Sequence, residues 1–319
     1  MSSGGSSKAV VAALSANMGI AVAKFVAYGF TGSASMLAEG VHSVADSGNQ
    51  VLLLVGARAA KKEADAEHPF GYSRERFVYA FIVSVVLFSV GGLFACYEGI
   101  HKVAHPEKVD HWYWAVGVLL FAICLEGMSF RTAVQESNHL REGESWVGFI
   151  RHATVPELPI VLLEDFGALI GLALALIGVG LAVITGNGVW DGVGTLSIGV
   201  LLVCIAIVLA VEMKSLLIGE GASKTDVRLI REAAVDGDTV TSVIHLRTMF
   251  LGPEELLVAM KIAVEHEDTA VEIATAIDAA EARIRAAVPE ARLIYLEPDI
   301  RRAEPKQGSG TVVTPEPVV

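Results

Sequence analysis

Apolar residues run along this chain in long blocks, and six blocks approach or exceed the roughly 20 residues that a helix needs to cross a bilayer. They cover residues 9–30, 34–57, 77–100, 112–134, 158–184 and 191–218. The links after the first and fifth, "TGSAS" and "TGNGVW", are short and lack Lys and Arg. The link after the second carries Arg58, Lys61, Lys62, Arg74 and Arg76, and the one after the fourth carries Arg141 and Arg151. Lys214, Lys224, Arg228 and Arg231 close or follow the sixth block, whereas only Lys102 and Lys108 lie between the third and fourth. Basic residues collect on the cytoplasmic side of membrane proteins. Both termini are therefore expected in the cytoplasm, which an even number of crossings requires.

Near Thr225 the pattern changes. "KTDVRLIREAAV" reads as a short amphipathic helix, "TVTSVIHLRT" and "LLVAMKIAV" as strands around the turn "GPEE", and "ARLIYLEP" as a last strand. Between the last two, "DTAVEIATAIDAAEARIRAAV" predicts a helix capped by Asp268, with Ile273, Ile277, Ile284 and Val288 on one face. The order α-β-β-α-β suggests a small ferredoxin-like α+β domain. The expected organisation is a cytoplasmic segment 1–8, a six-helix transmembrane bundle 9–219, a cytoplasmic α+β domain 220–300 and a disordered, Pro/Gly-rich tail 301–319.

Composition narrows the class. Hydrophobic residues make up 53% of the 319 and charged ones only 19%, and the mean hydropathy is +0.55, which favours a membrane protein over a soluble one. The net charge of -12 argues against a nucleic-acid partner. Cys96, Cys124 and Cys204 lie in apolar runs, where the spacing gives neither a disulfide framework nor a zinc knuckle; buried packing is expected. "MSSGGSSKAV" has no charged n-region or cleavage site, so the first apolar block is expected to be retained.

One apolar block is interrupted. The second carries Glu39, His42, Asp46, Asn49 and Gln50 in its middle. On a helix, residues three and four apart share a face at about 5–6 Å, so Glu39, His42 and Asp46 line up. An imidazole nitrogen and a carboxylate oxygen spaced in this way reach one metal ion at about 2.0–2.2 Å. Interhelical hydrogen bonding is the alternative use of such groups. An ionised Asp at a helix centre costs about 2.5–3.5 kcal/mol on insertion scales, and intramembrane charges tend to mark ion pathways.

A second helix answers the first, because the fifth block places adjacent Glu164 and Asp165 inside an apolar run. Neighbouring helical positions diverge by about 100°, so the two face one point only if Glu164 bends round. His42, Asp46 and Asp165 supply one nitrogen and two carboxylates, which suits tetrahedral zinc with one ligand still to be found. Elsewhere in the apolar blocks, Lys24 and Glu98 are expected to snorkel. Glu126 and Glu212 are expected to pair with basic groups at the cytoplasmic edge, and Asp191 to cap the sixth helix.

The chain resembles the cation diffusion facilitators, a family of zinc/proton antiporters. The resemblance rests on "GSASMLAEGVHSVAD" in the second helix, "HPFGYSRERF" after it, "VWDGVGTLSIGVLL" opening the sixth, and "HLRT…GP" in the α-β-β-α-β tail. It implies a transport site at His42, Asp46 and Asp165. Many members carry a His four residues before the last Asp, but Val161 stands there in this chain. "VLLED" resembles the branch with Glu-Asp in the fifth helix, which makes Glu164 the expected fourth ligand, with water or Asn49 behind it. Accessory metal sites of the family look incomplete. In the loop after the second helix Asp65, His68 and Tyr72 stand at the matching positions, and in the tail the apolar Ile244, Met260 and Leu296 do so, with His245 and His266 expected to be solvated.

Carboxylates gathered at low dielectric repel one another, so such a site holds either a cation or protons. Zinc binding requires neutral His42 and ionised carboxylates and therefore expels protons. The resemblance implies a homodimeric exporter carrying Zn²⁺ out of the cytoplasm against protons by alternating access, with zinc as substrate and no organic cofactor. The expected location is a bacterial inner membrane, suggested by the absence of a targeting peptide and the compact tail, with an organelle as the alternative. Other divalent ions (Mn²⁺, Fe²⁺, Co²⁺ or Cd²⁺) are the alternative cargo. An intramembrane metalloenzyme would want an HExxH-type pair, which the sequence lacks. A non-transporting scaffold would have no use for the polar face of the second helix.

Overall fold

The computed structural model describes residues 3–31, 34–106, 112–141 and 143–300, with side chains for all of these except 3–5, 27, 28, 30, 31, 34–42, 45 and 152. The tail 301–319 lies outside the described residues. The chain forms two compact units, one comprising the residues up to Glu220 together with Phe250–Glu254, the other Gly221–Met249 and the residues from Glu255 on.

The first unit is helical. It contains α1 (Ser3–Thr31), α2 (Ala34–Ala59), α3 (Glu75–Val86), α4 (Phe94–Ala104), α5 (Trp112–Arg141), α6 (Trp146–His152), α7 (Glu157–Thr185) and α8 (Val189–Ile218). A π-helical segment, Leu87–Leu93, joins α3 to α4 in one continuous rod. Among the described residues, five stretches are long and apolar enough to cross a membrane: Ser6–Val26, Glu75–Ala104, Trp112–Arg141, Glu157–Thr185 and Val189–Ile218. At about 1.5 Å per residue, the 26 residues of α2 also have the length for a crossing. The short α6 has no counterpart among the expected blocks. Its Ser145 cap accepts from Gly148 N at 3.0 Å, and its Phe149 is buried.

In the bundle α1 packs on α2 and α5, α5 on α7, α7 on α8, and α8 on the rod α3–π–α4. The seam between α4 and α8 is built from glycines. A Cβ at Gly99 would fall 2.6 Å from Leu196 Cα, and one at Gly199 would fall 2.7 Å from Cys96 Sγ. Small residues of this kind let membrane helices meet backbone to backbone.

Several expectations about single residues change. Asp191 does not cap α8; it lies in the first turn and pairs with Lys102 Nζ at 3.1 Å. Cys124 and Cys204 are exposed on the outer faces of α5 and α8, because an apolar side chain in a membrane-sized helix has no need of a protein core. Arg76 and Glu157 form a buried ion pair joining the first turn of α3 to the start of α7, with Arg76 Nη2 2.7 Å from Glu157 Oε2.

The second unit has α9 (Lys224–Ala234), β1 (Val240–Gly252), β2 (Glu255–Val264), α10 (Ala270–Ala287) and β3 (Ala291–Ile300). The sheet runs β1-β2-β3, and β2 pairs parallel with β3, with Leu257 opposite Leu293 and Met260 opposite Leu296. Along β2, Leu256, Val258, Met260 and Ile262 point inward, as the two-residue period requires. Helix α10 is capped by Thr269 in a capping box with Glu272, not by Asp268. Its buried stripe is Ala276, Ala280, Ile284 and Val288, whereas Ile273 and Ile277 are only half-buried. Arg283 Nε donates to Ala233 O at 2.7 Å and Nη2 to Ala234 O at 3.0 Å, closing the end of α9.

Candidate metal site

Helix α7 starts immediately after Pro156, whose fixed φ suits the first residues of a helix. This start brings Glu164 and Asp165 into the middle of the bundle, 8% and 1% exposed. Their divergence on the helix is resolved by dividing them between two neighbours. Glu164 turns to α2, accepting from Gln50 Nε2 at 2.8 Å and Asn49 Nδ2 at 3.3 Å. Asp165 turns to α5, accepting from Ser129 Oγ at 2.6 Å. The network extends to α1, where Asn17 Nδ2 donates to Gln50 Oε1 at 3.4 Å.

Asp46, half-buried on α2, lies within electrostatic reach of both Glu164 and Glu126. Lys24 Nζ donates to Ser43 Oγ at 2.9 Å, one turn from Asp46. The side chains of Glu39 and His42 lie outside the described residues. Among the described residues no three His, Cys, Asp or Glu side chains stand together in a metal-holding group; the amides of α2 hold Glu164 and the hydroxyl of α5 holds Asp165. Asn49 is 2% exposed, and its Oδ1 has no hydrogen-bond partner.

Sequence reasoning missed Glu126, Ser129 and Asn17 as members of this site, and the role of Gln50 in it. Glu126, expected at the cytoplasmic edge beside a basic group, is instead 5% exposed and interacts electrostatically with Asp165, Asp46 and Lys24. Its place midway along the 30 residues of α5 and Ser129 three residues later were the available signal. Asn17 and the role of Gln50 gave none beyond being polar within apolar blocks. Among the described residues neither Glu164 nor Asp165 has a Lys or Arg partner.

The loop after α2 uses its candidate residues differently. Asp65 Oδ2 accepts from Lys62 Nζ at 2.9 Å and from Tyr72 OH at 2.8 Å, while Oδ1 accepts from the backbone N–H of His68 at 2.8 Å and of Glu67 at 3.1 Å. The His68 ring packs tilted, at 41°, against Tyr72 with 4.4 Å between ring centroids. The Lys62 ammonium, followed by the other donors, holds the Asp65 carboxyl well below the usual carboxylate range. In the second unit His245 and His266 are exposed, Met260 is buried, Leu296 is half-buried and Ile244 is exposed.

Residues 10–218, the whole helical span from α1 to α8, match the cation efflux transmembrane domain. The chain belongs to the cation efflux family. It is thus a multi-pass membrane protein of the cation diffusion facilitators, a transporter and not an enzyme. It is 30% identical over 250 residues to the proton-coupled zinc antiporter SLC30A9, mitochondrial, of Homo sapiens, a match covering 78% of this chain and 44% of that protein. It is also 30% identical over 250 residues to metal tolerance protein C4 of Arabidopsis thaliana, covering 78% of this chain and 55% of that one. Magnetosome protein MamB of Magnetospira sp. (strain QH-2) is 24% identical over 280 residues, 88% of this chain and 90% of its own. The cation diffusion facilitator described here spans about half the length of the first two relatives.

Proposed function

We propose that this cation diffusion facilitator carries Zn²⁺ out of the cytoplasm in exchange for protons, by alternating access, as a homodimer in a bacterial inner membrane with both termini cytoplasmic. The observation that carries the reading is the pair Glu164 and Asp165, buried mid-bundle among α2 and α5 with no Lys or Arg partner among the described residues. Carboxylates placed there need a cation or protons. A site that exchanges one for the other keeps the charge of the moving helices nearly constant. The human relative, whose name states proton-coupled zinc antiport, supports the choice of ion and counter-ion.

The residues proposed to hold the ion are His42, Asp46, Asp165 and Glu164, with Asn49 next and Glu39 as a neighbour on the face of α2. The hydrogen bonds now on Glu164 and Asp165 would be exchanged for metal bonds when the ion enters. A second cargo is favoured by one feature. Val161 stands where many members carry a second imidazole, and an oxygen-rich donor set accepts harder ions such as Mn²⁺.

Proteoliposomes loaded with zinc and pH dyes test the reading. Zinc movement accompanied by opposite proton movement, lost in Asp46→Ala with folding intact, is the expected result. Proton-independent zinc movement would sink the antiport, and manganese movement without zinc would replace the cargo.

A further inference from the structure

Glu126 stands outside every role given so far. It is 5% exposed, makes no hydrogen bond among the described residues, and sits on α5 one turn before Ser129, whose hydroxyl holds Asp165 at 2.6 Å. Its strongest charged neighbour is Asp165, followed by Asp46. Four acidic groups from three helices thus lie within electrostatic reach of one another, although no three of them stand together in this conformation: Asp46 on α2, Glu126 on α5, and Glu164 with Asp165 on α7. A second, independent feature marks this group as one that receives a ligand. Asn49, one turn from Asp46 and 2% exposed, binds Glu164 through its Nδ2 while its Oδ1 has no partner. A buried amide oxygen without a donor is destabilising, and a divalent cation supplies what it lacks.

We infer that Glu126 is a ligand of the transported cation, completing a site that joins Glu126 and Ser129 of α5 and Asp46 and Asn49 Oδ1 of α2 to Glu164 and Asp165 of α7. This rests on the reading of the cluster as a cation-transport site. The division of Glu164 and Asp165 between two helices then has a purpose. The ion draws both from their amide and hydroxyl partners, and Glu126 supplies the carboxylate that α7 alone cannot turn to the same point. The site takes a divalent cation through a mainly oxygen donor set, which suits zinc with water retained and also Mn²⁺ or Co²⁺.

The test uses the full chain in lipid nanodiscs, titrated calorimetrically with ZnCl₂, and the same variants in proteoliposomes. Glu126→Gln is expected to weaken zinc affinity and flux by roughly tenfold or more, the scale on which groups around a metal act, with helix content and elution volume unchanged. Co²⁺ absorption reads the donor set directly, and the spectrum is expected to change in Glu126→Gln. Unaltered affinity, flux and cobalt spectrum would overturn the assignment. If Glu126→Gln does not fold, Glu126→Asp keeps the charge and decides: zinc binding weakened more than about threefold supports a ligand, and unaltered binding overturns it. Asp46→Ala separates the two failures. Zinc binding lost there but intact in Glu126→Gln removes Glu126 alone, whereas a parent protein that binds no divalent cation removes the transport reading with it.

Discussion

Arg76 grips Glu157 with two nitrogens, the Nη2 contact at 2.7 Å, and both side chains are almost closed to solvent, 11% and 3% exposed. Two facing donors match a carboxylate's two oxygens, and the acid sits in the first turn of α7, where the helix dipole favours it. The pair clamps the start of α3 to the start of α7, the helix that carries Glu164 and Asp165.

Removing one partner strands the other. Arg76→Ala or Glu157→Gln is expected to destabilise the bundle by about 3–5 kcal/mol. The double change Arg76→Leu with Glu157→Leu should recover most of that loss. Thermal denaturation in detergent, followed by loss of the monodisperse peak, measures both. A loss in the double variant equal to the sum of the two single losses would show that the two residues act separately.

Gln50 is fully buried and serves two helices, donating to Glu164 and accepting from Asn17. Gln50→Leu leaves an amide on α1 and a carboxylate on α7 short of a partner, at about 1–3 kcal/mol. The bundle should melt lower, and Glu164 should be freer to meet an ion. Zinc calorimetry and a thermal melt on the same sample check the two halves of that expectation.

The glycine seam makes a steric prediction. Gly99→Val or Gly199→Val pushes side-chain atoms into the backbone of Leu196 or Cys96, whose nitrogen lies only 2.5 Å from the Cβ position in each case. Overpacking of this kind costs about 1–3 kcal/mol, whereas Gly117→Ala, where nothing lies within 4 Å of the Cβ, should be neutral. Comparing the three melts tests whether the seam or the mere loss of glycine matters.

Asp65 gives the pH dependence. Lys62 lowers its carboxyl below the value the unfolded chain would have, so the folded loop binds fewer protons than the unfolded one and its stability rises with pH there. The contribution is fully present above about pH 4 to 5 and is lost as pH falls through the lowered folded value. Hydrogen exchange of the Glu67 and His68 amides, corrected for intrinsic rate, should show constant protection from pH 8 to 5 and declining protection below pH 4. Asp65→Asn should flatten that profile; an unchanged profile would mean that the loop is held by something else.

Six long blocks were legible because a bilayer imposes one length on every crossing, and the α-β-β-α-β order because strands and helices have different periods. The π-helical turn at Leu87–Leu93 left no such mark, since its residues are as apolar as their neighbours. The second unit's cap was misplaced by one residue: Asp268 and Thr269 are both good caps, and only the reciprocal bond from Glu272 chooses between them. In the candidate site the polar face of α2 stood out, and so did the Glu164–Asp165 pair. Glu126 did not, because a single acid in an apolar helix has an inexpensive alternative at the water interface. Only the packing of α5 against α7 shows that it has no access to that alternative. Ser129 and Asn17 are small polar groups of a kind common in membrane helices, and their partners are known only once the helices are brought together.

The bond from Gln50 to Glu164 joins residues 114 positions apart, and this matters before the protein is finished. Synthesis proceeds at roughly 5–20 residues per second, so α2 emerges on the order of ten seconds before α7 exists to receive its amides. In that interval the polar partners that the described residues show for this stretch of α2 lie on α1: Asn17 at Gln50 and Lys24 at Ser43. The first two helices are then a single cargo for the insertion machinery, and a change at Asn17 or Lys24 would be felt in the yield of inserted protein, whatever it did to the finished one.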